Sequence, residues 1–147
     1  MLKGVRSVLL QMRAAGCEGK GRFDKVVELL SEADRLTPNE PLILLSLGDA
    51  YRRLRRFDEA LQTLQGVDRQ ERSFSFNLAM TNVLVESGAP IEDAIPYIRA
   101  ALRNRMGGDL LPVWAQRFKY LKLTEDSYDD WIAWAEKILF NYESGRS

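Results

Sequence analysis

The sequence predicts an all-α chain built as a stack of antiparallel helix pairs, and three observations carry that expectation. Residue character repeats along the 147-residue chain with a step of 34 residues, a period expected of arrays of helix–turn–helix units. Within each candidate helix, apolar residues recur at helical spacing rather than alternating. Glycine or proline stands near the expected helix ends, where the backbone must turn or a helix must stop.

The period is read from side-chain type position by position. Phe57-Asp58 maps back onto Phe23-Asp24 and forward onto Ile91-Glu92. Ala60 maps onto Val26 and Ala94, Leu64 onto Leu30 and Ile98, and Tyr51 onto Cys17 and Val85. Apolar, acidic and small positions therefore recur together, and they divide the chain into units of about residues 7–40, 41–74 and 75–108, followed by a terminal helix pair over 109–143. The units are expected to form a single domain over residues 1–147.

In the first unit a helix from about Leu2 to Cys17 is followed by Gly19 and Gly21, and a second helix covers about Arg22–Leu36. Val26, Val27, Leu29, Leu30 and Ala33 form its apolar stripe, and Pro38 ends it because the residue before proline is pushed out of the α region. In the second unit Pro41 opens a helix to Leu54, as suits a first-turn proline, and Phe57–Val67 is its partner. Gly48 allows close helix approach and Ala60 is the small residue at the crossing. The third unit is looser. Thr81 and Asn82 stand where Leu47 and Gly48 stand in the second, Gly88-Ala89-Pro90 makes the turn, and Ile91–Arg105 is the next helix. Pro96 predicts a late helix start or a local kink, and Gly107-Gly108 an end. Beyond it, Leu110–Leu121 reads as one helix, and Ser127 with Asp130 as the start of another running to about Tyr142. Trp134 and Phe140 fall outside that last helix's main apolar arc, so each is either packed on another element or open to a partner.

Composition excludes more than it assigns. Basic and acidic residues balance at 21 each, so no net field draws the chain to nucleic acid or to an anionic membrane. There is no histidine and a single cysteine, Cys17, which removes the commonest general base and metal ligand and any internal disulfide. No catalytic, cofactor-binding or metal-binding residue is assigned, and the chain is expected to be non-enzymatic. One cysteine suits a reducing compartment, taken here as the cytoplasm. No apolar run reaches the length of a membrane span. Lys3, Arg6 and Arg13 without an acid before Glu18 superficially suit a targeting segment, but a first repeat helix accounts for the same residues. The dense basic run Arg52-Arg53-Leu54-Arg55-Arg56 reads as a solvated turn; a contact to an acidic partner or nucleic acid is the lesser reading, since no aromatic residues interleave with it.

Leu47-Gly48-Asp49-Ala50-Tyr51, with Ala60 nine residues after Tyr51, resembles the signature of the tetratricopeptide repeat family. The resemblance implies a right-handed α-solenoid of about three repeats plus a terminal capping helix pair, in which the first helix of each repeat lines a concave groove. Carried over residue by residue, that groove is lined by Val8 and Met12 in repeat one, Leu42, Leu45, Asp49 and Arg53 in repeat two, Phe76, Met80 and Val83 in repeat three, and Trp114 in the terminal pair. The carboxylate-clamp subfamily does not fit, because its cation and amide positions hold Gln11, Ala15, Ser46, Phe76 and Met80 here. The resemblance implies instead an adaptor or chaperone-like module that takes an apolar peptide or amphipathic helix. The alternative is a structural subunit that forms a homodimer through the groove or the C-terminal helix.

Overall fold

The structure, a computed structural model, describes residues 2–104 and 125–145, with side chains from Asp129 onward in the second stretch. Every regular element among them is helical. In chain order these are α1 (Leu2–Gly19), α2 (Phe23–Leu36), α3 (Pro41–Arg53), α4 (Phe57–Gln65), a 3-10 turn at Arg69–Glu71, α5 (Phe74–Glu86), α6 (Ile91–Arg103) and α7 (Glu125–Glu143). The second helices of the three repeats start at Phe23, Phe57 and Ile91, which reproduces the 34-residue step read from the sequence. The expected helix Leu110–Leu121, the Gly107-Gly108 end and Trp114 lie outside the described residues.

The chain divides into two compact units, Met1–Arg72 and Ser73–Ser147. In the first, α1 packs on α2, α2 on α3, and α3 on α4. Ala14 of α1, Val26, Leu29, Leu30 and Ala33 of α2, and Ile43, Leu47 and Ala50 of α3 make one core cluster, with Leu10, Cys17, Phe23 and Tyr51 packed against it. Cys17 is thus half-buried at the position that Tyr51 takes in the next repeat, as the register requires. A polar pin joins the start of α1 to the end of α2: the buried Ser7 hydroxyl lies 2.6 Å from Thr37 Oγ1, which donates to the Ala33 carbonyl, and Gln11 Nε2 donates to Ser7 Oγ at 3.3 Å. Burying a serine is tolerated because each of its polar groups finds a partner.

The turns within the three helix pairs, α1–α2, α3–α4 and α5–α6, close in the same way. The amide of Arg22 donates to the carbonyl of Cys17, that of Arg56 to Tyr51, and that of Ala89 to Leu84, while Gly21, Arg55 and Gly88 donate to carbonyls three residues back. This is the Schellman arrangement, which needs a left-handed residue just after the helix. Gly21 and Gly88 supply it without strain at φ 73° and 81°; Arg55 supplies it at φ 60°.

In the second unit α5 packs on α6, and α7 packs on α6. Ala94, Ile95 and Ile98 of α6 meet Ala135 of α7, with Trp131, Trp134, Ile138 and Leu139 packed around them. Trp134 therefore lies on another element, 5.9 Å from the Trp131 ring, whereas Phe140 is exposed.

Several boundaries differ from expectation. Helix α4 stops at Gln65, not Val67, because the Arg72 guanidinium donates to the carbonyls of both residues and the chain turns there. Helix α6 begins at Ile91 and runs through Pro96, so the proline does not delay its start. Pro96 and Glu92, whose carbonyl loses its usual donor, are both exposed, which leaves that carbonyl to water. Helix α7 already includes Ser127, so that residue is not its cap.

Candidate functional site

Helix α3 positions the repeat-two residues. Its first-turn Pro41 sets the helix start, Leu42 points outward, and Leu45 turns inward one turn on. Gly48 faces α4 so closely that a Cβ there would stand 2.7 Å from Leu64 Cδ2 and 2.8 Å from Leu64 Cγ. Leu47, Gly48 and Ala50 are accordingly packing residues: Gly48 admits α4, and Leu47 and Ala50 join the core cluster with α1 and α2, so the sequence signature is a device for holding α3 among its neighbours.

Asp49 is buried, and its carboxylate is fully engaged. Arg52 Nη2 donates to Oδ1 at 2.7 Å and Arg53 Nε to Oδ2 at 3.1 Å, both from the next turn of the same helix. Arg53 also lies over the Phe23 ring, 5.2 Å from its centroid. The rest of the basic run is partnered in the same way: Arg55 stacks on Phe57, and Arg56 stacks on Tyr51 and pairs with Glu59. The hydrogen bonds that Arg56 donates to the Glu59 carboxylate hold its guanidinium above its ordinary pKa. Two carboxylates and three aromatic rings thus partner the four arginines within the first unit, and Asp49 and Arg53 act in this structure as each other's partners.

The expected lining separates into two groups. Val8 and Met12 on α1 and Leu42 on α3 are at least half exposed. Leu45, Phe76, Met80 and Val83 are buried, so the expected exposed patch containing them is corrected: these four do not form it. For α5 the reason is compositional. From Phe74 to Val85 it has no charged residue, and apolar or small side chains surround it rather than forming a stripe. A helix that is apolar all round belongs in an interior. Phe76 meets the edge of Tyr97 at 6.2 Å, and Phe74 meets the edge of Trp131 at 5.7 Å.

The departures from the signature in repeat three have a local cause. Asn82, at the position of Gly48, accepts a hydrogen bond from Trp131 Nε1 at 3.0 Å, and Thr81 turns its buried hydroxyl back to the Asn77 carbonyl. The small residue is replaced by an amide because α7 brings an indole N–H that needs an acceptor.

Residues 19–80 match the tetratricopeptide-repeat family model. The matched stretch runs from the end of α1 into α5 and contains the whole of repeat two. Tetratricopeptide repeats mediate protein–protein interactions, and the described elements are α-helical pairs with a 34-residue step, consistent with a helical repeat of that type. No curated protein and no solved structure matches the chain. Among the described residues, no helix is long and apolar enough to cross a membrane. The residue-by-residue reading omitted three exposed apolar residues of α1: Leu2, Val5 and Leu9. Their signal was present as a spacing of three and four residues, but repeat register directs attention to the groove and away from the rest of the helix.

Proposed function

We propose that the chain is a non-enzymatic protein-interaction module, an adaptor or chaperone-like protein of the cytoplasm, that takes an apolar peptide or amphipathic helix. The observation that carries this reading is the exposure of Val8, Met12 and Leu42 on first helices of helix pairs, Leu42 within the segment that matches a protein-binding family and Val8 and Met12 on the helix just before it. Large apolar side chains left in water on neighbouring helices are the usual mark of a surface kept for a partner, and methionine adapts to irregular apolar ones. Leu45, Asp49 and Arg53 then serve the site from behind, by fixing the helix that carries Leu42, while Phe76, Met80 and Val83 are interior positions of α5 in the second unit. The array is read as one solenoid domain, with Trp114 as a further contact from the terminal pair.

Selection of a displayed random-peptide library on the immobilised chain tests the proposal. Amphipathic sequences with apolar residues at helical spacing should be enriched, and the enriched peptides should lose affinity for Met12→Glu and Leu42→Glu while both variants keep wild-type helix content. Enrichment of uniformly polar peptides, or binding indifferent to both substitutions, would overturn it. A second reading, self-association, is favoured by one observation: Phe140 is exposed on a helix whose Trp131, Trp134, Ile138, Leu139 and Tyr142 are packed. Sedimentation velocity across a hundredfold range of concentration separates the two, since a homodimer forms without added peptide and weakens in Phe140→Glu.

A further inference from the structure

Helix α1 is apolar on two opposite sides. Ser7, Leu10, Ala14 and Cys17 face α2 and the first unit's core. On the far side, Leu2 is 81% exposed, Val5 56%, Val8 54%, Leu9 53% and Met12 65%. Leu2, Val5, Leu9 and Met12 follow one another at steps of three, four and three residues, the spacing with which a helix presents a seam to another helix. Gly16 continues the series, and a Cβ there would meet nothing within 4 Å, so the stripe ends in open backbone against which a partner side chain can lie. Nothing within the first unit explains why these residues are apolar.

Charge identifies the occupant. The helix carries Lys3, Arg6 and Arg13 and no acid before Glu18. Arg6 and Arg13 each follow a stripe residue, Val5 and Met12, so both stand about 100° round the helix on the same flank. Val8 and Ala15 occupy the other flank, which bears no charge. A second copy of α1 would set cations beside cations. Among the described side chains of a second copy's α7, Phe140 is the one large apolar residue that is exposed, and Trp131, Trp134, Ile138 and Leu139 are packed on α6. A helix lying on an anionic bilayer carries Lys and Arg across its polar face, whereas here the side opposite the seam is packed on α2 and Arg6 and Arg13 stand together on one flank.

We propose that the outer face of α1 docks an amphipathic helix of a different protein, one whose apolar seam is edged on one side by Asp or Glu. This rests on the reading of the chain as an interaction module and names the partner's chemistry. The seam residues insert between the partner's apolar side chains, and Arg6 and Arg13 pair with the acidic edge, which fixes the orientation of the partner more than it adds affinity.

The test uses the full chain and designed helical peptides with a leucine seam, one edged with Glu and its isomer edged with Lys, read by fluorescence anisotropy. The Glu-edged peptide should bind and the Lys-edged peptide should bind at least tenfold more weakly. Leu9→Glu should weaken the Glu-edged peptide by about thirtyfold or more, as loss of a central apolar anchor does. Arg6→Glu with Arg13→Glu should weaken it about tenfold and remove most of the salt dependence. Circular dichroism should be unchanged in all variants, since every substituted side chain is exposed. Failure of the Glu-edged peptide to bind, equal binding of both peptides, tighter association with anionic phospholipid vesicles, or binding that survives Leu9→Glu would each overturn the proposal. Leu42→Glu separates the two readings: peptide binding lost there but kept in Leu9→Glu would place the site on α3 and refute only the α1 face.

Discussion

Gly48→Ala tests the claim that the repeat signature is packing chemistry. The added Cβ would stand 2.7 and 2.8 Å from two carbons of Leu64, about 1 Å inside the separation at which carbon atoms attract. Leu64 cannot yield by swinging into water, because it is completely buried, and overpacking of this kind costs about 1–3 kcal/mol. Against that, alanine improves on glycine in a helix interior by about 0.5–1 kcal/mol. The net expectation is a loss of about 0.5–2 kcal/mol in urea unfolding followed by far-ultraviolet circular dichroism. Leu64→Ala removes both clashing carbons at a cost of about 2–5 kcal/mol of its own. In that background Gly48→Ala should stabilise by about 0.5–1 kcal/mol, so the double-mutant cycle should return a coupling of about 1–3 kcal/mol. Gly16→Ala is the control for propensity alone, since its Cβ meets nothing, and it should stabilise in either background. If Gly48→Ala stabilises the wild type as much as it stabilises the Leu64→Ala variant, the close approach of α3 to α4 is not what requires the glycine.

Three further outcomes follow from particular contacts. Asp49→Asn removes the charge shared by Arg52 and Arg53, whose side chains are about one-fifth exposed; after allowance for solvent screening, urea unfolding should show a loss of about 1–2 kcal/mol that shrinks at high salt. Gly88→Ala places a Cβ at φ 81° and should cost about 1 kcal/mol in thermal unfolding, whereas Arg55→Gly should be close to neutral, because relief of a left-handed arginine offsets loss of the Arg55–Phe57 stack. Asn82→Ala leaves Trp131 Nε1 without its acceptor and should cost about 1–2 kcal/mol, with hydrogen exchange accelerated first along α7.

The fold was legible where one side chain serves one purpose at a fixed interval. Val26, Ala60 and Ala94 are buried at matching positions, as are Leu30, Leu64 and Ile98, and Ala33, Val67 and Ala101. Each is a buried position of a second helix or, for Val67, of the turn just after it, so the same size and polarity are demanded at every step, and a register can be read from types alone. The site was less legible because register fixes which face a residue occupies within its repeat, not whether that face meets water. Met12 and Met80 differ by two repeat steps, and the first is exposed while the second is buried. The difference lies in their neighbours along the helix: α1 keeps Arg6 and Arg13 beside its apolar residues, and α5 has no charge at all until Glu86.

That contrast gives a rule for which groove positions of a repeat protein stay open. A first helix that interleaves cations with apolar residues can leave its apolar residues in water, because the charges keep the exposed face soluble until a partner covers it. A first helix without charge gains more from burial on every side than any single groove could return, and its groove positions are drawn into the interior. By this reasoning the exposure of apolar residues on α1 is set less by the repeat signature than by the placement of Lys3, Arg6 and Arg13 among them.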